Sequence, residues 1–253
     1  DIENGIVNFI GDADKRIKED YLRILRYLRF FLNYSKQPHN LKTISSLKIN
    51  IGGISKLSKE RLLDELKKLI KINTFEKLAQ DKLGLEFILI IFPELKNIKI
   101  FSKLTKNQKM ILQKEDFIFL ISLMIIDESD NVDYFLYKYN ISKKNQKRIK
   151  NIDSFYKEKI NSKTFMENNM NKIFYYHGKE TTLDILNHRM IKLKKEDSSL
   201  KELIKYYEIR EIPVMPVNAD LLINKYEIPK GKQLGEKLTL IEEVWVQNNF
   251  KIS

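Results

Sequence analysis

The stretch Gly11–Ser35, GDADKRIKEDYLRILRYLRFFLNYS, decides how the rest of the chain is read. Its spacing predicts one long helix from Asp12 to Ser35, with Asp12 as the N-cap and a near-continuous helical period behind it. At roughly 100° per residue, Ile17, Tyr21, Ile24, Leu28, Phe31 and Leu32 share one apolar stripe. Arg16, Glu19, Asp20, Arg23 and Tyr27 gather on a different face, with Arg26 at its edge. That face is charged, and its signs are mixed within one turn.

Such a face has two uses. It can be a solvated surface in which Glu19 pairs with Arg23 at i,i+4 and Asp20 with Arg23 at i,i+3. It can also be a template for a nucleobase. A carboxylate offers only acceptors and a guanidinium only donors. Side by side they match an edge that presents an amino donor next to a ring-nitrogen acceptor, as cytosine does with N4 and N3 and adenine with N6 and N1. Guanine and uracil show the reverse order, and a site that leaves buried polar groups unpaired rejects the wrong ligand strongly.

The segment EDYLR, Glu19 to Arg23, resembles the nucleotide-reading motif EDxxR of bacterial class II tRNA nucleotidyltransferases, the CCA-adding enzymes, and of the related bacterial poly(A) polymerases. Carried over, the resemblance makes Asp20 and Arg23 base readers within a nucleotide-binding set that includes Glu19. Arg26 and Arg29 become supporting cations. LSKERLLDELKKLI, from Leu57 to Ile70, is similar to the family's motif SxERIxxEL, which makes Glu60, Arg61 and Glu65 a brace for the base-reading helix. PVMPVNADLLINKYEIPKGKQLGEKL resembles a C-terminal segment in which helix, glycine-bearing turn and helix bring backbone N–H groups and lysines, here Lys230 and Lys232, toward a phosphate. That third match is loose: Asn218-Ala219 and Lys232 stand where the family carries glycine and proline.

The resemblance implies an all-α chain, an elongated multi-helix array of neck, body and tail. The catalytic α/β head of the family is expected to be absent. Its glycine-rich loop, similar to GGxxRD, has no counterpart, and the DxD pair Asp12 and Asp14 belongs to the segment leading into the base-reading helix. The implied partners are tRNA, CTP, ATP and a head domain in cis or trans, and the implied cofactor is Mg2+ held by that head. The expected segments are residues 1–11 as a head remnant, 12–72 as neck, 73–150 as body and 151–253 as an RNA-binding tail. A poly(A) polymerase of the same family, or a helical RNA-binding protein with no catalytic partner, is the alternative.

Bulk properties agree with a polyanionic partner. The formal charge is +12, though a composition crowded with Lys, Asn and Ile carries part of that by itself. From Lys138 to Lys172 ten basic residues (Lys138, Lys143, Lys144, Lys147, Arg148, Lys150, Lys157, Lys159, Lys163 and Lys172) face three acidic ones, Asp153, Glu158 and Glu167. The RNA-binding candidates are Lys143, Lys144, Lys147, Arg148 and Lys150, with Lys230 and Lys232. The absence of cysteine excludes disulfides and thiolate metal sites and fits a reducing cytoplasm. None of the three histidines, His39, His177 and His188, precedes an Asp, which argues against a His–Asp metal phosphohydrolase. The longest apolar run, Phe117 to Ile126 and broken by Ser122, is too short to cross a bilayer, and the start carries no signal-peptide pattern.

Further along, Ser58 is expected to cap a helix that buries Leu62, Leu63, Leu66, Leu69 and Ile70. Residues 116–126 read as a buried helix, with Phe117, Phe119, Phe135 and Tyr139 as core. Residues 181–193 read as another helix that carries an ordinary His188. Asn218 is expected to cap ADLLINKY, and a closing helix follows the IPKG turn.

Overall fold

A computed structural model describes residues 4–158, 165–193 and 197–251, side chains of Ile72 and Asn168 excepted. Lys159 and Lys163 of the basic stretch lie outside the described residues. The described chain is helical throughout, without a strand. It divides into two compact units, Asp1–Asp153 and Ser154–Ser253.

The first unit holds α1 (Ala13–Glu19), α2 (Arg23–Tyr34), α3 (Leu41–Asn50), α4 (Lys59–Leu69), α5 (Ile72–Gln80), α6 (Lys82–Ile91), α7 (Lys106–Leu112), α8 (Phe117–Ile125), α9 (Asn131–Lys138) and most of α10 (Lys143–Lys157). Most starts follow from capping chemistry. The first N–H groups of a helix lack internal partners, and short polar side chains satisfy them. Asp12, Asn40, Ser58, Asp81 and Asp116 do so here, and Thr105 with Gln108 forms a reciprocal capping box. Helix α8 is apolar on every side, and Ile118 to Ile125 are all buried. A helix of that kind belongs in a core. It packs against α9 and the 3-10 turn Ile98–Lys103, near which Phe92, Phe101, Phe135 and Tyr139 are also buried.

The second unit contains α11 (Glu167–Lys192), α12 (Ser198–Ile209), α13 (Ala219–Tyr226) and α14 (Lys232–Gln247). Gly178 breaks α11 with φ 85° and ψ 171°, a conformation that only glycine adopts without strain. Helices α12 and α14 pack on α11, and Asn218 caps α13 as expected. His188 is fully buried against the Tyr156 ring.

The long helix expected from Asp12 to Ser35 is two helices, and the break falls inside EDYLR. Asp20 has φ −155° and ψ 105°, an extended backbone. Its N–H donates to Ile17 O at 3.1 Å and ends α1. Its Oδ1 accepts from Leu22 N–H at 3.1 Å, and its carbonyl accepts from Arg23 N–H at 3.0 Å, which starts α2. Asp competes well for such local bonds, which is why it favours helix ends over interiors. The break changes the phase of everything after it. Tyr27, expected on the charged face, is buried, stacked on Phe9 at 5.6 Å and bonded to His39 Nδ1 at 3.0 Å. Tyr21 and Phe31, expected on the apolar stripe, are only half-buried, while Leu22 and Leu25 are fully inside.

Tyr21 holds the corner. Its ring lies on the 3-10 turn Ile51–Lys56 so closely that a Cβ on Gly53 would come within 2.0 Å of Tyr21 Cε1. Gly53→Ala is therefore expected to cost about 1–3 kcal/mol of stability. Gly52→Ala, where a Cβ meets open space, should be neutral or slightly stabilising. Thermal melts of the two variants check the pair, and equal melting temperatures would contradict the close approach.

Candidate functional site

The site grows from the α1–α2 break and from α4, which packs on α2. Leu62, Leu63, Leu66 and Leu69 fix one face of α4 in the core, as their spacing requires. That leaves Arg61 and Glu65, one turn apart, directed at the break. Arg61 Nη2 lies 3.0 Å from both carboxylate oxygens of Asp20. Glu65 is 1% exposed, and its Oε1 accepts from Arg29 Nε at 2.5 Å. Arg26 Nε and Lys68 Nζ approach its Oε2 at 3.8 and 3.7 Å.

Arg23 is held from the other side. Its Nη1 donates to the Arg16 carbonyl at 2.9 Å and meets Glu19 Oε2 at 2.8 Å. Arg16 shares that carboxylate at 2.7 Å. Burial alone would raise the Glu19 carboxyl, but the hydrogen bonds and charges of Arg16 and Arg23 outweigh it and hold the group below its ordinary value. The i,i+4 pair Glu19–Arg23 expected for a solvated face thus exists. The i,i+3 pair Asp20–Arg23 gives way to Asp20–Arg61, because the extended backbone at Asp20 removes it from the helical wheel. Arg26 Nη1 stands 4.0 Å from Asp20 Oδ2.

Asp20, Arg26, Arg29, Arg61 and Glu65 form one side-chain network, joined to the Glu19–Arg23 pair through the Arg23 N–H bond to the Asp20 carbonyl, whereas Glu60 is exposed in the first turn of α4. Arg16 and Lys68 complete it, and neither was marked by the motif spacing. The network sets six cations against three carboxylates, which favours an anionic ligand.

The other candidates sort by whether the fold already uses their charge. Arg148 is 10% exposed and bonded to Asp116 at 2.6 Å, and Lys150 pairs with Asp133 at 3.2 Å. Lys138 reaches the buried Glu94 at 2.6 Å. Lys143, Lys144 and Lys147 are exposed on α10. In the second unit Lys230 is exposed in the turn before α14, where Gly231 has φ 147°, and Lys232, the first residue of α14, is exposed with Glu236 at 3.7 Å.

A metal does not fit the DxD pair. Asp12 caps α1 through Lys15 N–H at 2.8 Å, and Asp14 is taken by Lys18 at 2.6 Å and Asn50 at 2.7 Å. Among the described residues no group of three or more His, Cys, Asp or Glu could hold an ion. Nor is any described helix long and apolar enough to cross a membrane.

The family described as tRNA nucleotidyltransferase domain 2 matches residues 110–251, more than half of the chain. The chain belongs to the tRNA nucleotidyltransferase family. Its relatives include CCA tRNA nucleotidyltransferase 1, mitochondrial, of Mus musculus, 28% identical over all of the chain and 57% of the relative. The CCA-adding enzyme of Staphylococcus haemolyticus is 27% identical over 94% of the chain and 59% of that enzyme. Among solved structures, a Bacillus stearothermophilus CCA-adding enzyme in complex with CTP superposes with a TM-score of 0.63 at 18% identity. That match covers 98% of the chain and 62% of the other, and it establishes a shared fold. This member of the family thus spans about three-fifths of the relatives' length.

Within this family member the buried Glu65 is expected to matter most for stability. Glu65→Ala leaves Arg29 and Arg26 facing each other without their counter-charge, which should cost about 3–5 kcal/mol. Glu60→Ala, at an exposed position, should change stability by under about 0.5 kcal/mol. Urea denaturation of both variants tests the contrast, and similar midpoints would refute the assignment of Glu65 as the hub.

Proposed function

We propose that the chain is the nucleotide-selecting and tRNA-binding part of an enzyme that adds cytidine and adenosine to tRNA 3′ ends. One observation carries the proposal. The break in EDYLR carries an acceptor-only group, Asp20, and a donor-only group, Arg23, whose backbone N–H bonds to the Asp20 carbonyl, amid an excess of positive charge. An amino group on cytosine or adenine would donate to Asp20, and the adjacent ring nitrogen would accept from Arg23. Guanine and uracil would set carbonyl against carboxylate and N–H against guanidinium. Arg26 and Arg29 would face the nucleotide's phosphates, and Arg61 with Glu65 would brace the corner. In binding, Arg23 would exchange its bonds to Glu19 and the Arg16 carbonyl for the base.

The reaction in which this selection serves is attack by an RNA 3′-hydroxyl on the α-phosphate of CTP or ATP, with pyrophosphate leaving. We place the metal chemistry on a nucleotidyltransferase head outside these 253 residues. Mg2+ bound there would activate the hydroxyl and stabilise the departing charge. Lys143, Lys144 and Lys147 in the first unit, and Lys230 and Lys232 in the second, are the side chains we assign to RNA phosphates. We place the enzyme in the cytoplasm, in keeping with a chain that contains no cysteine.

The test joins the chain to a catalytic head and measures incorporation of all four nucleotides into tRNA lacking its 3′ end. Arg23→Ala should depress CTP and ATP incorporation together. Asp20→Ala should relax discrimination against GTP and UTP by roughly ten- to a hundredfold, the equivalent of one charged hydrogen bond. Unchanged preference in both variants, with melting temperature as the control, would reduce this corner to surface charge. The chain would then be left as an RNA-binding module.

A further inference from the structure

The Asp20 carboxylate is not free in this structure, and how it is occupied bears on base choice. A carboxylate has about four lone-pair sites, two on each oxygen. On Oδ1 one is taken by Leu22 N–H at 3.1 Å and another by Arg61 Nη2 at 3.0 Å. On Oδ2 the same Arg61 nitrogen takes one, also at 3.0 Å. One acceptor site remains, on Oδ2. The next cation toward it is Arg26 Nη1, at 4.0 Å, beyond hydrogen-bond range but within reach of a small side-chain movement. Arg26 is itself drawn toward the buried Glu65 at 3.8 Å.

We propose that Arg61 is a positioning residue for base selection: by spanning both oxygens of Asp20 it leaves a single, fixed acceptor on Oδ2 and holds that acceptor away from Arg26. The inference rests on the reading of Asp20 as a base reader. It gives Arg61 a role that a brace alone would not have. A helix brace needs only a favourable contact between α4 and the break. Arg61 instead sets the number and direction of acceptors the base meets. One open site matches the one amino hydrogen that cytosine or adenine offers on the paired edge. It also turns carboxylate charge toward the carbonyl oxygen that uracil or guanine would present. Without Arg61, Asp20 is tethered only through its own Leu22 N–H, and its free oxygen can turn to Arg26. The acceptor is then spent inside the protein. Since Arg61 comes from α4, 41 residues beyond Asp20, the selectivity of the first motif depends on the second.

The test is equilibrium binding of CTP, UTP, ATP and GTP to the full 253-residue chain. Wild type is compared with Arg61→Met, Arg61→Lys, Arg61→Met with Arg26→Met, and Asp20→Ala. Ratios of dissociation constants are the readout, because contacts to phosphate are common to all four ligands and cancel. Arg61→Met should narrow the UTP-to-CTP and GTP-to-ATP ratios by roughly tenfold. Arg61→Lys should fall between, since one nitrogen makes both contacts here and an ammonium can do the same, but on a stem without the guanidinium's fixed plane. Adding Arg26→Met to Arg61→Met should restore part of the ratio while weakening all four ligands. If Arg61→Met weakens all four in parallel, or leaves the ratios unchanged while Asp20→Ala flattens them, the inference is overturned and the base-reading proposal stands. If Asp20→Ala leaves the ratios unchanged, or wild type binds no CTP, the base-reading proposal itself fails and takes the inference with it.

Discussion

The buried carboxylate of Glu65 is the constraint around which the first unit's charged corner is arranged. A single negative charge at 1% exposure must be neutralised, and Arg29 does so directly while Arg26 and Lys68 approach from the same side. This fixes α4 against α2. With α4 fixed, Arg61 sits one turn earlier, where it meets Asp20. Asp20 in turn ends α1 and starts α2. The geometry of the candidate site is thus the outcome of one desolvated charge and its partners, with the leucine face of α4 supplying the burial that makes the charge expensive to leave unpaired.

Helix content, caps and core faces were legible in the sequence because they depend on local chemistry and spacing. Asp12, Ser58 and Asn218 cap helices as expected of them, and the segment 118–125, apolar but for Ser122, is the buried helix its composition demands. The break at Asp20 was not legible from periodicity. Residues on both sides of it continue an acceptable helical pattern, and the determinant lies elsewhere in the chain. Gly53 has no side chain, so the Tyr21 ring occupies its space, and Arg61 offers the carboxylate a better partner than the helix does. Both contacts span more than 30 residues of sequence, and no helical wheel contains them.

The same distinction sorts the charges. Sequence counts ten cations between Lys138 and Lys172 as one basic stretch, but Lys138, Arg148 and Lys150 are committed to Glu94, Asp116 and Asp133. Those pairs join residues far apart in sequence, so they were invisible to a local count. Lys143, Lys144 and Lys147, exposed on the first unit's part of α10, make a smaller surface than the composition implied. Arg16 was placed on the charged face by its spacing, but the bond its backbone carbonyl accepts from Arg23, which any residue could provide, leaves no mark in the sequence.

The claim that the α1–α2 corner selects a base is tested most directly by mapping where free nucleotides touch the chain. Backbone amide NMR spectra would be recorded as CTP and, separately, UTP are added. The account predicts shifts concentrated at Glu19–Arg26 and Arg61 with CTP, and much weaker ones there with UTP at equal concentration. Indistinguishable shifts for the two nucleotides, or shifts confined to Lys143, Lys144 and Lys147, would contradict it.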